Sequence, residues 1–545
     1  MEFNLGQVFG AVADAVPDRD CVVQGSLRRS YGQVAERSNR LANFLLDQGL
    51  AVREERSALR GHESGQAHLG CYLHNGPEYL EAMLGSYAAR VAPFNVNYRY
   101  VAEELRYLLA DAGAQAVVYH AEFAPTLAEV LDDLEPTPVL LQVADASGHP
   151  LLPGAIEYEA ALTRSSPEPP AIEPSPDDLY ILYTGGTTGM PKGVLWRQAD
   201  IFVAALGGRE LATGEEWPTL DAIVEAARNG GARTLPAPPF MHGAAHWLAF
   251  NAFAGGNTVV LPTSTHHLDP AELWSTVERE RVSILLIVGD AFGRPLSDEL
   301  DRHEYDLDSL RVLVNGGAAL TAQLKDRLLE QIPGMMLMDG LGASETGSQA
   351  RALSTHDAEA TTGTFQPGPG MAVLTADLSA PVRAGHEEMG WLAQEGRVPL
   401  GYLNDAEKSA RTFVDVAGRR YAIPGDRARL LSDGSMELHG RDSATINSGG
   451  EKIFAEEVEQ AIMPHPAVYD VVVCGRPSER WGNEVVAVVQ LAPETSATPD
   501  DLLAEASRHI ARYKLPKQIV FSDQIQRSPA GKADYRWARN LVERS

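Results

Sequence analysis

Up to about residue 440, short apolar runs, several of which run straight into glycine, alternate with longer helix-like stretches, and this alternation restricts the fold more than any other feature. The runs are QAVVY ending at Tyr119, PVLLQV around Leu140, DLYILYTGG from Asp178, NTVVLP, VSILLIVGD and RVLVNGG. Each is too short for a stable helix and almost unbroken in its apolar character, the pattern of a strand buried on both faces. Such strands linked by helices make an α/β fold with a largely parallel sheet, whose ligand crevice lies beyond the strands' carboxyl ends. The glycines stand at those ends. A helix-like stretch, Ala222 to Ala227, and then NGGARTLPAPP lead into a further loop, and the proline-rich SSPEPPAIEPSPDD, Ser165 to Asp178, reads as a connector.

After Gly440 the pattern changes. EKIFAEEVEQAIM sets Phe454, Val458 and Ile462 four residues apart, as on one helix face; VVVCG and EVVAVVQLA read as strands, and PDDLLAEASRHIARY as a second helix. The length of 545 residues alone suggests three or four structural units. The expected organisation is a large N-terminal domain, 1–441, of mostly parallel sheets and helices, and a small α+β C-terminal domain, 442–545.

At one strand end, Tyr183 to Val194 reads YTGGTTGMPKGV. Glycines let backbone N–H groups turn toward an anion, threonine hydroxyls add donors and Lys192 adds a cation, so this is the composition of a phosphate cradle. It is not a Walker loop. There the lysine precedes a Ser or Thr whose hydroxyl sits on magnesium, whereas Lys192 precedes Gly193. A nucleotide bound here must take its metal ligand from elsewhere in the chain.

The balance of 74 acidic against 46 basic residues, a formal charge of −28, sets the whole surface against nucleic acid without excluding a small anion held by local donors. No apolar run is long enough to cross a bilayer, and the N-terminus lacks the basic start of a signal peptide. Cys21, Cys71 and Cys474 are too scattered for a metal site or a disulfide framework. The chain therefore reads as cytoplasmic.

Five further segments follow the glycine loop in order: PAPPFMHGAAHW, GLGASETG, YAIPGDRARL, GRDSATINSGGEK and RSPAGKADYRWA. Together the six resemble the adenylate-forming superfamily of acyl-CoA synthetases, adenylation domains and luciferase-type enzymes, and the resemblance covers nearly the whole chain. INSGGEK, PPFMHG, VGDAFGRP and the RSPAGKADYRWA ending look most like actinobacterial acyl-CoA synthetases that activate steroid side chains and long acyl acids. The resemblance implies a ligase for a small-molecule carboxylic acid, ATP and CoA with Mg²⁺. An acyl-adenylate forms with release of pyrophosphate, and the acyl group then passes to CoA with release of AMP. Delivery to a carrier protein, or an aryl acid as substrate, is the alternative, and a homodimer is possible.

The resemblance also implies roles. Lys532 bridges the carboxylate and the α-phosphate; a cation about 4 Å from such charge at an effective dielectric near 20 is worth roughly 4 kcal/mol, on the order of a thousandfold in rate. Glu345 is the magnesium carboxylate, and Ser344 and Gly342 meet the α-phosphate and acyl carbonyl. Thr184, Gly185, Gly186, Thr187, Thr188, Gly189 and Lys192 hold phosphates, with Lys192 either anchoring the loop or facing them. Gly316 and Gly317 approach adenine, Asp426 and Arg441 contact the ribose, and Gly449 and Gly450 face the pantetheine tunnel. Leu341 stands where most relatives carry an aromatic residue, Gly186 where most carry serine, and Asp442 with Ser443 replaces the usual hinge pair.

His242 falls where relatives place a histidine or aromatic residue near the carboxylate. Its i,i+4 spacing to His246 invites a zinc reading, but HGAAH lacks the glutamate of HExxH and a third ligand, and His246 reads as a core residue. The acyl pocket is expected around Phe240–Trp247, Val288–Gly293, Gly316 and Gly342. Gly243, Ala244 and Ala245 either leave room there for a bulky acyl chain or pack closely on their neighbours.

Overall fold

The structure is a computed structural model that describes residues 2–184, 191–210, 212–357, 361–386, 388–441, 445–448, 451–478, 482–510, 512–527 and 531–544. All six apolar runs form strands. In an eight-stranded sheet, Leu179–Thr184, Ala92–Asn95, His68–Tyr72, Ala116–His120, Val139–Val143 and Ile156–Glu157 lie side by side and parallel. His68–Tyr72 is buried at every position, as a strand covered on both faces must be. The helix that follows it, Pro77–Ala88, packs on Tyr31–Asp47 so closely that a Cβ at Gly85 would lie 2.9 Å from Leu41 Cβ.

A second, fifteen-stranded sheet starts in the same way. Asp20–Gln24, Thr258–Leu261, Arg233–Pro236, Ile284–Ile287, Val312–Gly316 and Met336–Ala343 are parallel neighbours. Arg233–Pro236 belongs to the stretch NGGARTLPAPP, for which the sequence pattern implies no strand. Only the four residues Ala232 to Leu235 stand there between glycine and proline, and the segment is a strand because ladders on both sides pair it.

The expectation of mostly parallel sheets fails beyond Ala343. There the chain reverses in a hairpin onto Gly347–Ser354, and the sheet continues through antiparallel strands including Met436–Arg441, Asp426–Leu430 and Gly390–Glu395. One turn in this half carries its own signal. Ala417 and Gly418, both at positive φ (52° and 80°), form the two-residue loop between Phe413–Val416 and Arg419–Ala422.

Met436–Arg441 is the last strand of the long sheet, and Thr445–Ser448 opens a separate five-stranded sheet with Glu451–Phe454, Val468–Ser478, Gly482–Leu491 and Gln518–Phe521. The helix expected from Glu451 begins only at Ala455, because Glu451–Phe454 pairs as a strand; Val458 and Ile462 are buried on it as their spacing requires. The second helix, Pro499–Ala506, is shorter than its sequence pattern. Among the described residues no helix is long and apolar enough to cross a membrane, and all three cysteines are buried and free.

Candidate active site

The glycine loop joins two antiparallel strands, Leu179–Thr184 and Lys192–Arg197, whose register sets Thr184 opposite Lys192. Thr184 is half-buried at the loop's entry; Gly185, Gly186, Thr187, Thr188 and Gly189 lie outside the described residues. Asn95, at the end of the neighbouring strand, fixes that entry. Its Nδ2 donates to the carbonyls of Tyr183 (2.8 Å) and Met241 (2.7 Å), and its Oδ1 accepts the Tyr183 N–H at 2.7 Å. One buried amide thus ties the start of the loop to the PPFMHG segment. Sequence reasoning missed Asn95; the available signal was a polar residue closing the apolar strand APFN.

At the loop's exit Lys192 forms an ion pair with Asp405, whose carboxylate also caps the helix Ala406–Thr412 through the Lys408 N–H at 2.9 Å. Of the two roles expected for Lys192, this placement fits anchoring.

Ser344, Glu345 and Thr346 form the tight turn of the hairpin between Met336–Ala343 and Gly347–Ser354, not a helix start. Gly347 takes φ 67°, and a Cβ at Gly342 would lie 2.3 Å from the Gly347 carbonyl oxygen, so this turn closes only with glycine at both places. Trp196, fully buried on the strand leaving the glycine loop, donates from Nε1 to the Ser344 carbonyl at 2.8 Å. Tyr402 pairs with that same strand and donates its hydroxyl to Glu345 Oε1 at 2.8 Å. Glu345 is therefore held beside the phosphate loop by two contacts that sequence reading did not foresee. Its other oxygen accepts no hydrogen bond from the described residues, and a lone hard carboxylate oxygen of this kind fits Mg²⁺, which keeps several waters and takes phosphate oxygens. Leu341 packs against the apolar cluster of Ala350, Val373 and Met436.

Gly316 and Gly317 close the strand Val312–Gly316 level with Gly340. Gly317 is at φ 89°, while the nearest atom to a Cβ at Gly316 is 3.8 Å away, which leaves an open ledge at the carboxyl edge of the sheet. Behind it Asn315 bonds Asp339 Oδ1 at 2.8 Å and accepts the Gly289 N–H at 2.7 Å, and Asp339 pairs with buried Lys325. Asp426 and Arg441 are direct partners across adjacent antiparallel strands. The Arg441 side chain, together with Asp442, Ser443, Gly449 and Gly450, lies outside the described residues.

His242 is the N-cap residue of the helix Gly243–Ala254, with a buried Nε2 that has no partner among the described residues. Burial first, then the charge of Lys532, pushes its imidazole down to about 3. Lys532 comes from the C-terminal unit. The preceding Gly531, at φ 68°, lies against Val288, with its Cβ position 3.0 Å from the Val288 carbonyl oxygen. Arg527 donates to the Gly531 carbonyl at 3.2 Å and pairs with Asp470 at 2.6 Å, which fixes the loop from inside its own unit. Lys532 itself is exposed, and its charge acts against protonation of the buried His242 imidazole.

His246 is fully buried, with Tyr180 on Nε2 and the Phe240 carbonyl on Nδ1 at 2.8 Å, so it is a core residue as expected. It and His242 belong to no three-ligand metal cluster among the described residues. The small residues beside them do not all leave room. A Cβ at Gly243 would meet Leu182 at 3.0 Å and Trp247 at 3.2 Å, and Ala245 is completely buried, so the close-packing reading holds for both.

The family model described as AMP-binding enzyme matches residues 9–402, and the AMP-binding enzyme C-terminal domain matches 457–532. The chain is 56% identical over 538 residues to "Medium-chain acyl-CoA ligase Mig" of Mycobacterium avium, covering 98% of each. It is 38% identical to "3-oxocholest-4-en-26-oate–CoA ligase" of Rhodococcus rhodochrous, covering 99% of this chain and 96% of that one. In fold it is similar to the anthranilate CoA ligase AuaEII solved with anthranoyl-AMP, with a TM-score of 0.81 at 20% identity over 100% of this chain and 98% of the other.

Proposed function

Since this chain belongs to the AMP-binding enzyme family and is an ATP-dependent, AMP-forming acid–CoA ligase, we propose that its acid is a medium- or long-chain fatty acid or a steroid side-chain acid. The identity to a medium-chain acyl-CoA ligase along 98% of the chain supports the acyl class, and the steroid-acid ligases at 38% support the wider range. A cytoplasmic enzyme, with a homodimer as one assembly, completes this reading.

In the first step a carboxylate oxygen attacks the α-phosphorus and the bond to pyrophosphate breaks. Lys532 holds the two anions together and offsets the charge that gathers on the phosphoryl oxygens. Thr184 and the glycine-rich residues Gly185–Gly189 cradle the phosphates, Ser344 and Gly342 line the α-phosphate and acyl carbonyl, and Gly316 and Gly317 leave the ledge for adenine. Asp426 and Arg441 receive the ribose. Mg²⁺, held by Glu345, would neutralise phosphate charge. His242, kept neutral by burial and by Lys532, orients the carboxylate without competing for its charge. In the second step the CoA thiol gives its proton to solvent, sulfur attacks the acyl carbonyl, and AMP leaves with the electron pair of the broken carbonyl–oxygen bond. Gly449 and Gly450 line the thiol's approach once the C-terminal unit has turned.

The observation that carries the assignment of roles is the seating of the loop before Lys532 on the large unit, where Gly531 lies against Val288, with the Lys532 charge acting on buried His242. Lys532→Ala should reduce acid-dependent exchange of labelled pyrophosphate into ATP by about a thousandfold, while thioester formation from supplied acyl-adenylate survives. Equal loss of both steps would overturn these roles. A thioester assay across fatty, steroid side-chain and aryl acids tests the acyl class, and a preference for aryl acids would reject it.

A further inference from the structure

We propose that His74, Glu122 and His266 form a binding site for a divalent transition metal of the zinc class, a site the ligase reaction does not use. Among the described residues these three alone bring His, Cys, Asp or Glu ligand atoms together as a group, all within 4.8 Å of one another. His74 Nε2 meets Glu122 Oε1, His266 Nδ1 lies 3.9 Å from the same oxygen, and the two imidazole rings are 4.3 Å apart. A tetrahedral zinc holds its ligands roughly 3.4 Å apart, so closure needs a movement of about an ångström by His266, which is 61% exposed on its loop.

The site has a built shell. His74 follows the strand His68–Tyr72 and Glu122 follows the adjacent parallel strand Ala116–His120, so both stand at the carboxyl edge where open α/β sheets bind ligands. His266 follows Thr258–Leu261 of the other sheet. Asp145 accepts the Glu122 N–H at 2.8 Å, and His120 Nδ1 accepts the His74 N–H at 3.1 Å, which positions two of the ligands through their backbones. His74 is buried, and its remaining ring nitrogen, Nδ1, has no partner among the described residues, so the protein does not complete this ring's hydrogen bonding by itself. Beside the cluster opens a cavity of about 170 Å³ lined by His74, Glu122, Asp145 and His266, with room for a water as fourth ligand.

Two imidazoles and one carboxylate suit zinc, cobalt or nickel rather than magnesium, which takes oxygen donors. The next residue, Asn75, donates to the Pro238 carbonyl at 2.9 Å and accepts the Phe240 N–H at 2.6 Å. A metal here would therefore staple loops of both sheets behind the segment that carries His242.

The test uses the full-length enzyme stripped with a chelator and titrated with Co²⁺, then Zn²⁺ in competition. One equivalent should bind, with the visible bands of a nitrogen- and oxygen-ligated tetrahedral cobalt and no thiolate charge transfer, and Zn²⁺ should raise Tm. His266→Ala, at an exposed position, and Glu122→Gln, which keeps an acceptor for His74, should each weaken binding by about tenfold or more. Absence of saturable binding, or affinity unchanged in both variants, would overturn the proposal.

Discussion

At the scale of single residues, the site separates into groups that meet substrate and groups that hold them, and the sequence favours the first. Motif residues such as Glu345 and Lys532 are legible because their chemistry demands a residue type at a fixed place in the chain. Asn95 is not, because its value lies in where the fold carries two carbonyls and one N–H. Asn95→Ala leaves these buried groups bare at roughly 1–3 kcal/mol each, and frees the loop entry from the His242 segment. Stability should fall, and pyrophosphate exchange should fall by about a hundredfold because the phosphate cradle loses its register. Full exchange activity in a variant with lowered Tm would show that Asn95 is structural only. Tyr402 and Trp196 escaped the sequence reading for the same reason.

At the scale of elements, the hairpin that presents Glu345 has the least tolerance. Gly342→Ala would place a methyl 2.3 Å from the Gly347 carbonyl, backbone that cannot swing aside, so the bulge at Leu341–Gly342 must open and move the turn. Adenylation should drop by at least tenfold while CoA transfer from supplied adenylate is less affected; unchanged exchange would mean that the turn tolerates the shift. The helix Ala455–Ile462 carries a different liability. Glu459 is half-buried against the strand Val468–Ser478, where its Oε1 accepts the Val473 N–H at 2.8 Å, and loss of solvent around its carboxyl raises it from 4.5 to about 8. Below pH 4.5 folded and unfolded chains are both protonated here. Between about 4.5 and 8 the unfolded chain alone loses the proton, so stability declines with rising pH by up to ~1.4 kcal/mol for each pH unit of that window. Glu459→Gln keeps the hydrogen bond and removes the titration. It should match the parent near pH 4.5 and exceed it in Tm at pH 8.5; a variant less stable at pH 8.5 would contradict the assignment.

At the scale of the whole molecule, the parallel half of each sheet was legible because strands buried on both faces announce themselves by composition. The antiparallel strands beyond Ala343 were not, since their half-exposed pattern, as in RRYA, resembles any polar stretch until a partner pairs with it. Nor does the sequence say how the C-terminal unit sits on the large one. Its docking on the helix Gly289–Leu300 and the helix after it is made of weak contacts. Arg294 lies 5.0 Å from the centre of the Tyr469 ring and 3.8 Å from Met463 Sδ, Gln323 donates to the Pro464 carbonyl at 3.2 Å, and Gly531 rests on Val288. Contacts of about 1 kcal/mol or less apiece suit the proposed alternation, in which the unit docks Lys532 for adenylation and then releases it. Arg294→Ala removes two of them, and Asp290, its partner at 3.1 Å, is still bonded by the Thr321 N–H at 2.8 Å. The variant should therefore fold with nearly the parent's Tm, lose roughly three- to tenfold in pyrophosphate exchange as docking weakens, and keep or gain rate in CoA transfer from supplied adenylate. A parallel fall in both half-reactions would mean that this docked arrangement serves the two steps alike, and that the unit does not alternate between them.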